Sequence, residues 1–144
     1  MFTLLDPVSA LLWPSAAHLA LTAFLYLWLT LERAGAVMSR RNRYDDFTRV
    51  DADQGRGARV AANLRNQFEA PPFFHMLVLA LVLAGEPVFL QLVLAWIFVA
   101  GRLAHTLVQT LTGNVVLRGI VFSINFLALC AMWVIFFVRM LNSA

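Results

Sequence analysis

The chain has 144 residues, 61% of them hydrophobic and 13% charged, with a formal net charge of +3 and a mean hydropathy of +0.76. Soluble domains carry about a quarter charged residues, so a charge content this low, and bunched as it is, excludes a single water-soluble domain. The basic balance, with a pI near 10.0, does not point to nucleic acid, because no recognition motif accompanies the arginines.

Four apolar segments, near 14–33, 60–84, 87–112 and 116–140, are each close to or above the roughly 20 residues that a helix needs to cross about 30 Å of hydrocarbon. The first has Pro14 in its opening turn, where a missing N–H is harmless, and closes at Glu32 and Arg33. No basic residue precedes it and no small-residue cleavage site follows, so it reads as a retained helix rather than a signal peptide. A charged loop, 34–59, comes next. Gly85 and Pro87 separate the second and third segments, and Gly113 and Asn114 the third and fourth, so these neighbours run antiparallel. The expected architecture is all-α: one membrane domain over 1–144, a four-helix bundle. An even number of crossings leaves both termini on one side. The loop region carries Arg33, Arg40, Arg41, Arg43, Arg49, Arg56, Arg59 and Arg65, while the N-terminal tail has no basic residue. That bias places the 34–59 loop in the cytoplasm and both termini outside. The same arginines suit anionic lipid headgroups. Cys130, the single cysteine, reads as a small apolar filler. His18, His75 and His105 stand far apart in sequence with no carboxylate spaced to complete a zinc site, so no metal is expected.

Polar residues inside the later segments carry the functional information. In the second segment Arg59, Asn63 and Asn66 share a face, and Arg65 and Glu69 form an i, i+4 pair on another. Asparagine, glutamine and glutamate are too short to reach the headgroups, so they must point into protein or water. Pro71 and Pro72 remove two backbone donors, and a kink is expected from Gln67 to Pro72. Arg102, His105 and Gln109 fall on one face of the third segment, and Arg118 and Asn125 on one face of the fourth. With the second helix entering from the cytoplasm, Arg65, Glu69, Arg102, His105 and Arg118 lie in the same half of the bilayer and can converge. Interhelical polar pairing is the plain use for such groups. Three arginines against one glutamate leave a positive excess, whose natural complement is an anionic ligand.

The run "RNQFE" before the prolines, "GRLAH" in the third segment and an arginine nine residues beyond Gln109 together resemble the MAPEG family, membrane-associated proteins in eicosanoid and glutathione metabolism, and especially its short bacterial members. The resemblance covers nearly the whole chain. It implies a homotrimer in a bacterial inner membrane, with glutathione as co-substrate bound between subunits toward the cytoplasmic side. Carried over, Arg65 meets a carboxylate of the tripeptide, Glu69 its ammonium, and Asn66 donates hydrogen bonds. His105 matches a ligand-facing histidine, Arg102 lies a turn earlier on its face, and Arg33 falls where the family has another glutathione-contacting arginine. Arg118 matches the arginine beside the sulfur, the catalytic position, where a cation favours thiolate over thiol.

Departures from the pattern accompany these matches. Gln109 and Phe122 stand where eicosanoid synthases carry tyrosines, and Gly119 stands at a serine position. Phe68, Phe73, Phe74, Phe122 and Phe126 are available to line a slot for a hydrophobic second substrate, although aromatic residues in membrane helices also serve packing and lipid contact. Two readings follow: a glutathione-dependent transferase or peroxidase acting on lipophilic electrophiles, and a catalytically silent relative that binds lipid or a membrane partner. A small transporter is a third class, for which no internal symmetry or acidic relay is present.

Overall fold

A computed structural model describes residues 7–49, 51–85 and 89–142, and every regular element among them is helical. A single turn, α1 (Pro7–Ala10), leads into α2 (Leu12–Met38). The second crossing is shared by α3 (Gly55–Asn66) and α4 (Pro71–Ala84), and α5 (Phe89–Leu111) and α6 (Val115–Asn142) follow. The stretches Leu12–Met38, Gly55–Ala84, Phe89–Leu111 and Val115–Asn142 are each long and apolar enough to cross a membrane. Large apolar side chains cover the outside, among them Phe89, Leu83 and Leu127 at 80%, 78% and 64% exposure. Such a surface is matched to lipid, not water.

The charged loop is shorter than the 34–59 expected, spanning 39–54 with a 3-10 turn at Tyr44–Thr48. Glu32 and Arg33 do not end α2, because charge does not stop a helix and Ala34, Ala36 and Met38 are good helix formers. The stop comes at Ser39, whose N–H (3.0 Å) and hydroxyl (2.7 Å) both donate to the Gly35 carbonyl, and at Arg40, which adopts a left-handed φ of 56°. Arg33 then clamps the loop through a two-pronged bond to Asp53, at 2.9 and 2.7 Å, and lies 5.1 Å over the Phe47 ring.

The expected kink is a full break. Gln67 N–H donates to Leu64 O at 3.0 Å and Phe68 N–H to Arg65 O at 2.9 Å, tightening the last turn of α3, and Pro71 and Pro72 open α4 as a new first turn. This corrects the pairing of Arg65 with Glu69. The helix that would have set them one turn apart ends at Asn66, and neither residue belongs to an ion pair among the described residues, which are Arg33–Asp53 and Arg56–Glu32. Gly85 closes α4 in the left-handed conformation, φ 69°, as its position after the apolar run predicts. Glu86 and Pro87, with the expected start of the third segment, lie outside the described residues.

Two apolar cores result. Leu21, Leu25 and Leu29 of α2 pack on Val60 and Leu64 of α3 in the half nearer the loop. In the other half Phe74, Leu77, Val78 and Leu81 of α4 meet Ala95, Phe98 and Val99 of α5 and Ala128, Leu129 and Met132 of α6. The axis of α6 is held close to α5 at Gly101, where an added Cβ would lie 2.6 Å from Asn125 Cβ and 3.4 Å from its Cα. Neither atom is at the end of a flexible chain, so Gly101→Ala is expected to cost about 1–3 kcal/mol of stability. An SDS unfolding titration measures it. Adding Asn125→Gly removes the opposing Cβ, and recovery in the double variant identifies that contact as the cause.

Candidate functional site

Between the two apolar cores lies a polar layer built by one face of α5 against the end of α3. Arg102, His105 and Gln109 are all buried, as their shared spacing predicts, and Thr106 and Thr110 are buried beside them. Asn63 and Gln67 face them from the second crossing. Thr106 Oγ1 donates to Asn63 Oδ1 at 3.0 Å, Asn63 Nδ2 to Gln109 Oε1 at 2.8 Å, and Asn66 Nδ2 to the same oxygen at 3.1 Å. Gln109 is thus an acceptor that fastens α3 to α5.

Arg102 is completely buried. Its Nη2 donates to Gln67 Oε1 at 2.9 Å and to the Asn66 carbonyl at 2.8 Å, and Nε reaches Gln67 Oε1 at 3.3 Å. All its acceptors are neutral. Its third nitrogen, Nη1, is buried with no hydrogen-bond partner, as are His105 Nδ1 and Asn125 Oδ1. His105 and Asn125 lie on the seam where α5 packs on α6, with Asn125 against Gly101 and Phe122 at 6.0 Å from the His105 ring, while the Arg102 guanidinium is turned to the end of α3. A buried polar atom without a partner costs about 1–3 kcal/mol, so a layer that carries several is suited to a hydrogen-bonding ligand or bound water.

The remaining expected site residues ring this layer without meeting in one place. Arg33 and Arg65 line a cavity of about 470 Å³ beside the loop, with Tyr26, Phe47 and Phe68. Arg118 and Arg59 line a second, of about 250 Å³, with Gln109 and Asn114. Glu69 heads an apolar groove of about 570 Å³ that runs along Phe73, Phe122, Phe126, Trp133 and Phe137. Of the five phenylalanines expected to line a slot, three do so. Phe68 belongs to the Arg33–Arg65 cavity, and Phe74 is fully buried, stacked on Phe98 at 4.4 Å between ring centres. Cys130 is exposed on the groove wall instead of filling the core. No group of three or more His, Cys, Asp or Glu side chains among the described residues is placed to hold a metal.

Sequence spacing missed a chain of contacts that joins this layer to the opposite half. Ser15 Oγ lies 2.6 Å from His75 Nδ1, His75 Nε2 lies 3.1 Å from His18 Nδ1, and His18 Nε2 lies 3.0 Å from Gln67 Oε1. Ser15 and His18 share a face of α2 at i, i+3, but His75 on α4 and Gln67 at the end of α3 come from other segments, so helical periodicity does not join them to that pair. The available signal was chemical: Gln67 is a short polar side chain directly before the break, and His18 and His75 are isolated polar groups in apolar helices.

The model of the MAPEG family matches residues 11–138. No curated protein and no solved structure matches the chain.

Proposed function

The chain belongs to the MAPEG family, and from that premise we propose that it is a glutathione-binding homotrimer that acts as a transferase or peroxidase on lipophilic electrophiles. The observation that carries the reading is Arg102, a fully buried cation that, among the described residues, has no carboxylate in hydrogen-bonding contact and one guanidinium nitrogen without a partner. A charge so placed is costly in a membrane protein and marks a binding site for an anion. Glutathione brings two carboxylates and an ammonium. Arg65 suits a carboxylate, with Arg33 beside it in the same cavity but already paired with Asp53, Asn66 suits a hydrogen bond, and Glu69 the ammonium. His105 Nδ1 offers a further polar contact on the seam.

Arg118, exposed at the start of α6, is the group assigned to the sulfur. Its fixed positive charge lowers the pKa of a neighbouring thiol and raises the fraction present as nucleophilic thiolate near neutral pH. The groove below Glu69 opens on the lipid-facing surface, so a lipophilic electrophile enters from the bilayer. Arg40, Arg41, Arg43 and Arg49 on the 39–54 loop support its placement on the cytoplasmic side of the membrane. The glutathione side of the bundle then faces the cytoplasm.

One observation favours a second reading, a catalytically silent relative that binds lipid or a membrane partner. Neither Gln109 nor Phe122 has a hydroxyl to offer the sulfur, and both are otherwise engaged, Gln109 as an acceptor from α3 and Phe122 stacked on Phe126 at 6.0 Å between centres. An ultraviolet difference titration of the detergent-solubilised protein with glutathione separates the two. A saturable thiolate band is expected for the wild type and is expected to vanish in Arg118→Ala. Arg65→Ala and Glu69→Ala should each weaken binding about tenfold or more, the loss of one charged hydrogen bond, with the trimer intact by light scattering. No band and no binding heat in the wild type would transfer the assignment to the silent reading.

A further inference from the structure

The chain from Ser15 to Gln67 has a direction set by its far end. Gln67 Nε2 donates to the Asn63 carbonyl at 3.2 Å and to Asn63 Oδ1 at 3.0 Å, and Arg102, which has only donors, takes Gln67 Oε1. The amide orientation is thereby fixed. His18 Nε2, 3.0 Å from that same oxygen, must carry its hydrogen and donate. Neutral His18 then presents Nδ1 as an acceptor, so His75 Nε2 donates to it, and His75 Nδ1 accepts from the Ser15 hydroxyl. Each side chain holds the next in a single hydrogen-bonding state.

We propose that His18 and His75, acting through Gln67, are positioning residues for Arg102. The alternative state shows what they prevent. With its hydrogen on Nδ1, His18 would offer Nε2 as an acceptor and draw the Gln67 amide NH₂ toward itself. The flipped amide would meet Arg102 with a donor, and the guanidinium would lose the acceptor that holds Nε and Nη2. The Asn66 carbonyl alone would hold it through Nη2, and the guanidinium, Nη1 included, would lose its fixed orientation. His18 is 1% exposed and Gln67 3%, so water does not substitute for the missing partner. Ser15 and His75, both half-buried, anchor the relay from α2 and α4, and a site assigned to one half of the bilayer depends on contacts in the other.

The inference rests on the reading that Arg102 serves a ligand, and its test separates the two. Protein labelled with ¹⁵N-arginine gives an Nε–H resonance for Arg102, assigned by its loss in Arg102→Lys and expected to exchange slowly because the group is buried. His18→Leu and Gln67→Leu are expected to shift it, speed its exchange with solvent and weaken glutathione binding about tenfold. His18→Gln, which keeps one N–H donor and one acceptor but cannot titrate, is expected to restore both signals. That rescue is one a simple packing role would not produce, since leucine fills the space as well as glutamine does. An unchanged resonance in folded His18→Leu, or no recovery in His18→Gln, would overturn the positioning role even if glutathione binds. A wild type that shows the resonance and its dependence on His18 but binds no glutathione supports the relay and removes the glutathione reading.

Discussion

Arg102→Met is expected to leave the bundle at least as stable as the wild type while weakening glutathione binding about 10- to 150-fold. The affinity loss corresponds to about 1.5–3 kcal/mol for a hydrogen bond to a charged group. The stability expectation follows from what surrounds the residue. Arg102 is held by a side-chain amide and a backbone carbonyl, both neutral, and one of its nitrogens has no partner. Taking a charge out of water costs several kcal/mol even after the protein relaxes, and relief of that cost offsets the roughly 1–3 kcal/mol of leaving the Asn66 carbonyl without its donor, while Gln67 Oε1 keeps His18 as a partner. Methionine is flexible enough to fill the space. Unfolding in SDS and calorimetry with glutathione give the two numbers. If both fall together, Arg102 is interhelical glue; if only affinity falls, it is there for a ligand.

Phe74→Ala is expected to be the most destabilising single change in the apolar core. The ring is fully buried, stacks on Phe98 and packs edge-on to His18 at 6.4 Å, so it ties α4 to both α5 and α2. In soluble proteins such a truncation costs about 3–5 kcal/mol. Lipid tails are as apolar as the core, so the transfer part of that figure shrinks, and packing and the cavity remain. About 2–3 kcal/mol is therefore expected by SDS titration. Phe73→Ala, one position along but on the exposed groove wall, is the control and should change stability by less than about 1 kcal/mol. Equal losses at the two positions would mean that the groove is filled by packing from a second copy.

The features legible in the sequence were those carried by a repeating spacing or by one residue with a fixed backbone preference. Membrane length gave the four crossings, the 3.6-residue period gave the buried Arg102–His105–Gln109 face, and Gly85 and the proline pair marked where helices stop. Family motifs gave the matched chain. Less legible was anything that depends on two segments meeting. Ser15 and His18 share a face of α2, but no period links them to His75 or Gln67, and only the packing of α2 on α4 and on the end of α3 unites the four. Arg65 and Glu69 show the converse error: their spacing pairs them on any continuous helix, and the prolines two and three residues beyond Glu69 ended that continuity. The reach of α2 past Arg33 was missed because hydropathy reports where lipid ends, not where the helix does.

The break between α3 and α4 also has an electrostatic result. An unbroken helix over this crossing would keep its backbone carbonyls paired along the middle of the bundle, with both ends at the membrane surfaces. Ending α3 at Asn66 brings a helix C-terminus into the interior, and such an end carries about half a negative charge from its aligned peptide dipoles. The Asn66 carbonyl that Arg102 Nη2 grips belongs to that end. Part of the countercharge for the buried guanidinium is thus supplied by main chain, which cannot be protonated, and part by the carboxylate of Glu69, which attracts it without touching it.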